Sequence, residues 1–328
     1  MKRILVTGGA GYIGSVLVEL LASRGFQPFV LDNLSEGHLA SLPAGTPTVV
    51  ADLQDRQAVE DVFTQDKMDA VVHLGGLSVT SDSVSQPLRY YRENVSGLIN
   101  LLLAMRGAGV RTIVFSSSAA VYGIPDQVPL TEKSPVRPIS PFGWSKWMCE
   151  QVLADTAAAH GLRWAALRYF NAAGATARCG EWREQQVNLI PRLLEVAEGK
   201  RPHVEIYGTK YDTPDGTCVR DYLHVLDVAE AHLLALQHAA TAGGLFNLGA
   251  AQGYSVREVI EAAARLTGKK VPFQELPPRP GDPPNLVAGH ERARAEWGWQ
   301  PRRSLDDMIS SSWSWRKTHP EGYGPKAE

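Results

Sequence analysis

The chain has few cysteines, no imbalance of charge and no long apolar run. Its three cysteines, Cys149, Cys179 and Cys218, are scattered through 328 residues. An odd, unclustered set excludes a disulfide framework and a cysteine-rich zinc site, and fits reduced thiols in the cytoplasm. The nine histidines show no metal-ligand spacing, so no metal is expected. Lys and Arg number 33 against 35 Asp and Glu, which gives neither nucleic acid nor an anionic membrane an electrostatic handle. Glycines interrupt the opening MKRILVTGGAG too soon for a signal-peptide core, and no later run could span a bilayer. A cytoplasmic protein without a membrane partner is the expectation.

A hydrophobic content of 44% with 21% charged residues suits a globular protein, and the length allows one large domain or two interlocked ones. Short apolar runs at Arg3–Thr7, Gln27–Asp32, Pro47–Ala51, Ala70–Leu74, Thr112–Ser117 and Arg163–Tyr169 read as strands. Their near-continuous β-branched character is that of strands buried on both faces of a parallel sheet. Helix patterns at Tyr12–Arg24, Ala58–Thr64, Tyr90–Arg106 and Gly143–His160 alternate with them. The fold predicted is α/β: a doubly wound, mostly parallel Rossmann-type sheet with a smaller C-terminal substrate-binding region. The division expected is 1–170 for the cofactor and 171–328 for the substrate, partly interleaved. The second half carries two Pro/Gly-rich loops, Tyr207–Tyr222 and Leu276–Asn285, and the tail His319–Glu328 reads as loosely ordered.

The string TGGAGYIGS, Thr7–Ser15, follows a strand and opens a helix. Gly8, Gly11 and Gly14 let the backbone turn sharply against a pyrophosphate, and the helix N-terminus supplies N–H donors. Asp32 ends the next strand. A carboxylate there accepts hydrogen bonds from adenosine ribose hydroxyls and repels a 2′-phosphate, so NAD is expected over NADP.

With its three-residue glycine spacing, the ordered strings HLGG (His73–Gly76), SSSAAVYG (Ser116–Gly123), PFGWSK (Pro141–Lys146), LRYFNAAGA (Leu167–Ala175) and IYGTKYDTPDGTCVRDYLHVLDVAEAH (Ile206–His232), the chain resembles the extended short-chain dehydrogenase/reductase family, and within it the nucleotide-sugar epimerases, over about residues 1–315. The resemblance implies NAD contacts from Tyr12, Ile13, Asn33, Asp52, Leu53, Leu74, Gly75, Gly76, Asn94, Ser116, Lys146 and Tyr169. It implies a UDP-sugar held by Ser118, Asn171, Asn188, Leu189, Ile206, Tyr207, Arg220, Arg279, Asp282 and Leu286. Asp221 and His224 are expected to hold their loop. One departure is Ser78, where some epimerases of the family have a lysine.

The family's catalytic string is Y-x-x-x-K, and here Phe142 stands where the tyrosine is expected. The resemblance implies Ser118 as hydroxyl donor and Lys146 as the charge that tunes the base, with the base itself missing at Phe142. Three accounts stay open: a substitution made to trap substrate, a divergent member using another base such as Tyr122 or a water, and a protein that binds without catalysis. Ala119 and Ala120 stand where the family's dehydratases carry an acidic pair, so redox chemistry or epimerisation is expected rather than elimination. The implied reaction interconverts UDP-galactose and UDP-glucose by transient oxidation at C4, strongly impaired here. The alternatives are another NAD-dependent nucleotide-sugar epimerase, or an NAD- and UDP-sugar-binding protein. Leu286, smaller than the tyrosine some relatives carry, implies room for an N-acetyl group. A homodimer through Tyr90–Arg106 and Gly143–His160 is also implied.

Overall fold

The computed structural model of the chain describes residues 2–241, 243–279 and 281–324. The first half runs β1 (Arg3–Thr7), α1 (Tyr12–Ser23), β2 (Gln27–Asp32), β3 (Thr48–Val50), α2 (Arg56–Gln65), β4 (Ala70–His73), α3 (Thr80–Ser85), α4 (Pro87–Tyr90), α5 (Gly97–Gly107), β5 (Thr112–Ser118), α6 (Pro141–His160) and β6 (Arg163–Tyr169). The second runs β7 (Asn171–Ala173), α7 (Leu189–Ala197), β8 (Val204–Tyr207), β9 (Val219–His224), α8 (Val225–His238), β10 (Gly244–Leu248), β11 (Gly253–Ser255), α9 (Val256–Thr267), β12 (Phe273–Leu276), β13 (Asn285–Leu286), α10 (Glu291–Trp297) and α11 (Leu305–Thr318).

Seven strands pair in the order β10-β6-β5-β4-β1-β2-β3, every pair parallel. This is a doubly wound α/β sheet, with its switch point between β1 and β4. Alternate side chains of each strand feed opposite faces. Ile4, Val6, Val72, Val114 and Leu167 pack under α1 and α8. Leu5, Leu31, Val71, Ile113, Phe115 and Ala166 pack against α2, α5 and α6. Strands buried on both faces explain the unbroken apolar runs.

The smaller lobe is built on β9, which pairs antiparallel with β11 and parallel with β7 and β13. Behind it α7, α9 and α11 close a separate core around Leu193, Val259, Ile260 and Ile309. The second half is not confined to that lobe, since α8 covers the large sheet and β10 extends its edge.

The helix expected over Tyr90–Arg106 is present: α4 passes at Tyr90 into a π-wound segment, Tyr91–Ser96, which continues as α5 from Gly97. One expectation needs correction. The tail is not loose over residues 319–324. The Tyr323 ring stacks on His38 at 5.0 Å, and its hydroxyl donates to the Gly180 carbonyl at 3.0 Å. Residues 325–328 of that tail lie outside the described residues.

Candidate active site

The glycine turn is packed against itself and its neighbours. Gly8 takes φ +69°, and a Cβ there would lie 2.6 Å from the Gly75 nitrogen; one on Gly14 would lie 2.1 Å from the Gly8 oxygen. Only glycine permits both approaches. The first N–H groups of α1 have no intrahelical carbonyl to reach. No side chain caps them, and no acid stands in the first turn. That leaves a set of donors and the positive end of the helix dipole for an anionic ligand. Asp32 braces the turn from β2, its carboxylate accepting from Ala10 N at 2.9 Å and Leu34 N at 2.8 Å. Asn33 donates to Asp52 at 2.8 Å, and Leu53 lies against Gly75 and Gly97. Asn94, in the π-turn, accepts from Leu77 N at 2.8 Å and donates to Ser145 Oγ at 2.9 Å, tying the Leu74–Leu77 strand end to α6. A dinucleotide fits this cradle: open donors at a helix start, close backbone approach, and an acid at the end of β2.

The C-terminal edge of β5 carries Ser116, Ser117 and Ser118. Ser116 Oγ shares a hydrogen bond with the Tyr169 hydroxyl from β6. Ser118 Oγ accepts from Ala120 N at 3.1 Å, leaving its own proton for another acceptor. Helix α6 starts beside this edge because Ser140 caps it, accepting from Gly143 N at 3.2 Å, and Pro141 suits the first turn. Phe142 and Lys146, one turn apart, share a face. Lys146 Nζ donates to the Ser116 carbonyl at 2.8 Å and lies 4.9 Å from the Phe115 ring centre and 5.9 Å from that of Phe142. Burial brings Lys146 down to about 8. The Phe142 ring is 6% exposed and meets Tyr90 edge-on.

Tyr122, the other base the sequence offers, is enclosed in the core. Its hydroxyl donates to Asn247 Oδ1 at 2.6 Å and receives Arg168 Nη1 at 2.9 Å, 1% exposed within the core. Burial raises its pKa above the ordinary tyrosine value. It belongs to a chain the sequence reading missed: Ser117 Oγ donates to Glu150 Oε1 at 2.5 Å, and Arg168 grips both oxygens of Glu150 at 2.8 and 2.5 Å. The available signal was Glu150 at one further turn from Lys146, an acid on an inward face. His73, which opens the HLGG string, carried no role of its own in the sequence. Its Nδ1 bonds Thr7 Oγ1 at 2.6 Å, and burial pushes it down to about 3, with the Lys146 charge adding to the effect.

In the smaller lobe the expected substrate residues fall into two groups. Arg220 on β9 pairs with Asp282 at 2.5 Å, and Leu286 on β13 is in register with Arg220. Tyr207, following Ile206 at the end of β8, lies under the Arg279 guanidinium at 3.7 Å. Arg192, one turn into α7 beyond Asn188 and Leu189, joins this second group: Arg201 and Arg279 help burial lower its pKa. Arg192 also pairs with Glu205, and Arg201 with Glu195 and Glu205, so carboxylates accompany these cations. Asn171 donates to the Asp221 carbonyl at 2.9 Å, and Asn188 to Glu181 at 2.6 Å. Among the described residues no His, Cys, Asp or Glu cluster would hold a metal, and no helix is long and apolar enough to cross a membrane.

A parallel 3-2-1-4-5-6 core with a glycine turn at its switch point defines a dinucleotide-binding doubly wound protein. The chain belongs to the NAD dependent epimerase/dehydratase family, which matches residues 4–249. It is similar to a UDP-glucose 4-epimerase of Azospirillum brasilense, 45% identical over 327 residues that cover 98% of this chain and 94% of that one. Among solved structures, the UDP-glucose 4-epimerase of Stenotrophomonas maltophila with bound NAD and formylated UDP-arabinopyranose is 40% identical with a TM-score of 0.94, covering 98% of this chain and 99% of that one. That of Bifidobacterium longum in complex with NAD+ and UDP is 37% identical with a TM-score of 0.93, covering 98% and 100%.

Proposed function

We propose that this chain interconverts UDP-galactose and UDP-glucose, slowly, through transient oxidation at sugar C4. The observation that carries the reading is Lys146 bonded to the Ser116 carbonyl on the β5 edge that also carries Ser118, in a chain whose likeness to a UDP-glucose 4-epimerase covers 98% of its length. NAD, when bound, supplies the oxidant that removes and returns the C4 hydride. The Gly8–Gly14 turn and the α1 N-terminus hold its pyrophosphate, and Asp32 its adenosine ribose. Arg220 and Arg279 grip the UDP diphosphate, with Tyr207 against the uracil, so the sugar alone is left free to turn over. Ser118 orients the C4 hydroxyl. Residues 1–170 with the returning α8 and β10 form the cofactor unit, and the β9 lobe forms the substrate unit. The active species is a homodimer joined through α5 and α6.

Phe142 is the reason for slowness, since removing a general base costs about 10²–10⁴-fold. Phe142→Tyr is expected to raise UDP-galactose turnover by that factor, with NAD and UDP binding unchanged. If neither chain turns over UDP-galactose while both bind NAD and UDP, the reading falls. A role in binding alone, which Phe142 favours, then takes its place.

A further inference from the structure

Phe142 leaves the site without its phenol, yet the groups around that position are not equally idle. Tyr169 is bonded to Ser116, and burial pushes it up to about 12. Tyr90 donates to the Val79 carbonyl at 2.5 Å and is also raised to about 12. Tyr122 is held by Asn247 and Arg168. Glu150 is bound by Arg168 and Ser117. His73 is bonded to Thr7. Lys146 differs from all of these. It is 5% exposed, between the rings of Phe115 and Phe142, with the Ser116 carbonyl as its hydrogen-bond acceptor. Among the described residues no carboxylate makes an ion pair with it.

The geometry points to Lys146 as the proton acceptor of this chain: its neutral amine takes the C4 hydroxyl proton, directly or through one water, and gives it back. The inference rests on the function proposed above. In the forward step the sugar O–H bond breaks and an N–H bond forms at Nζ. The O–H electron pair becomes the second bond of a C4 carbonyl, as the C4–H pair leaves as hydride to the oxidised nicotinamide. The return step reverses each change on the other face of the sugar. Balance needs only the oxidant the proposed function supplies.

A lysine serves in this way only where it loses its charge near working pH, and burial without a counter-anion favours the neutral amine. Burial lowers Lys146 from 10.5 to about 8. Cys149 and Glu150 on its own helix oppose this, Glu150 while paired with Arg168. His73 on β4 is neutral above about 3. Tyr169 on β6 and Tyr90 on α4 keep their protons below about 12.

The test uses the full chain, Lys146→Arg, Phe142→Tyr and the double variant. Arginine keeps the positive charge and cannot lose it in this range. Three quantities are read: UDP-galactose turnover from pH 6 to 10, binding of NAD and UDP by calorimetry, and the pH dependence of Lys146 acetylation by acetic anhydride, followed by mass spectrometry. Turnover of the unmodified sequence is expected to rise with pH to a plateau with its midpoint near 8, shared by the acetylation curve. Lys146→Arg is expected to lose about a hundredfold or more beside Phe142, and much less beside a tyrosine at 142, which carries the proton itself. Equal fold losses in both backgrounds overturn the assignment and leave lysine an anchor. An acetylation midpoint above 10 overturns it as well. A Phe142→Tyr chain that binds NAD and UDP without turning over UDP-galactose overturns instead the epimerase reading on which the assignment rests.

Discussion

Asp221 is a carboxylate with no exposed surface that accepts from Ala250 N at 2.9 Å and from Ala288 N at 3.2 Å. It joins β9 to two loops of the substrate lobe. Burial outweighs those backbone donors and raises its pKa from 3.8 to about 7. The folded state therefore binds the proton more tightly than the unfolded chain. The stability this contributes is complete below about pH 4 and is lost as the pH rises through about 7. Thermal melts from pH 4 to 8 are expected to show a smaller decline for Asp221→Asn than for the original chain. An unchanged decline would assign the pH dependence to other groups. At this scale the sequence was informative where chemistry has a single purpose. Gly8, Gly14 and Asp32 were legible because a turn, a close contact and an acid at a strand end need those residues. Arg168 was not. An arginine inside an apolar strand gives no hint of its partner until the fold brings Glu150 beside it.

Helix α6 shows how one element serves both packing and chemistry. Phe142, Lys146 and Glu150 follow one another at one-turn spacing on a buried face. The first two meet the β5 edge, and the third locks α6 to β6 through Arg168, with the two side chains 4% and 1% exposed. Removing one charge of such a pair strands the other, at a cost of about 3–5 kcal/mol. Glu150→Gln is expected to lose that much in urea denaturation, and the double change Glu150→Leu, Arg168→Met to recover most of it. A loss below about 1 kcal/mol in Glu150→Gln would mean that the pair is solvated in practice. The large-sheet strands were legible because each carries its own burial pattern. The short β7, β11 and β13 were not, because pairing with β9 alone makes them strands. The π winding at Tyr91–Ser96 was hidden for a related reason: its residues suit any helix, and only the backbone pairing shows the wider turn.

For the molecule as a whole, the outer faces of α5 and α6 are unusually apolar. Ile99 and Leu103 are 40% and 42% exposed, and Trp144 and Met148 are 39% and 38% exposed, each pair one turn apart. Apolar surface of this kind marks contact with another protein, and a second copy is the partner proposed. Leu103→Glu with Trp144→Glu is expected to convert a dimer to a monomer in sedimentation velocity, with UDP binding retained. A monomeric parent chain would defeat the proposal. The arrangement of the large sheet also bears on how the chain is made. β6 is translated well before β10, its partner at the edge. At ordinary ribosomal speeds that gap lasts on the order of ten seconds. Throughout it the nascent polypeptide presents an unpaired strand flank, and the place later filled by Phe246 stands empty. Chaperone demand during synthesis should therefore peak while the smaller lobe is emerging, and fall when residue 248 clears the exit tunnel.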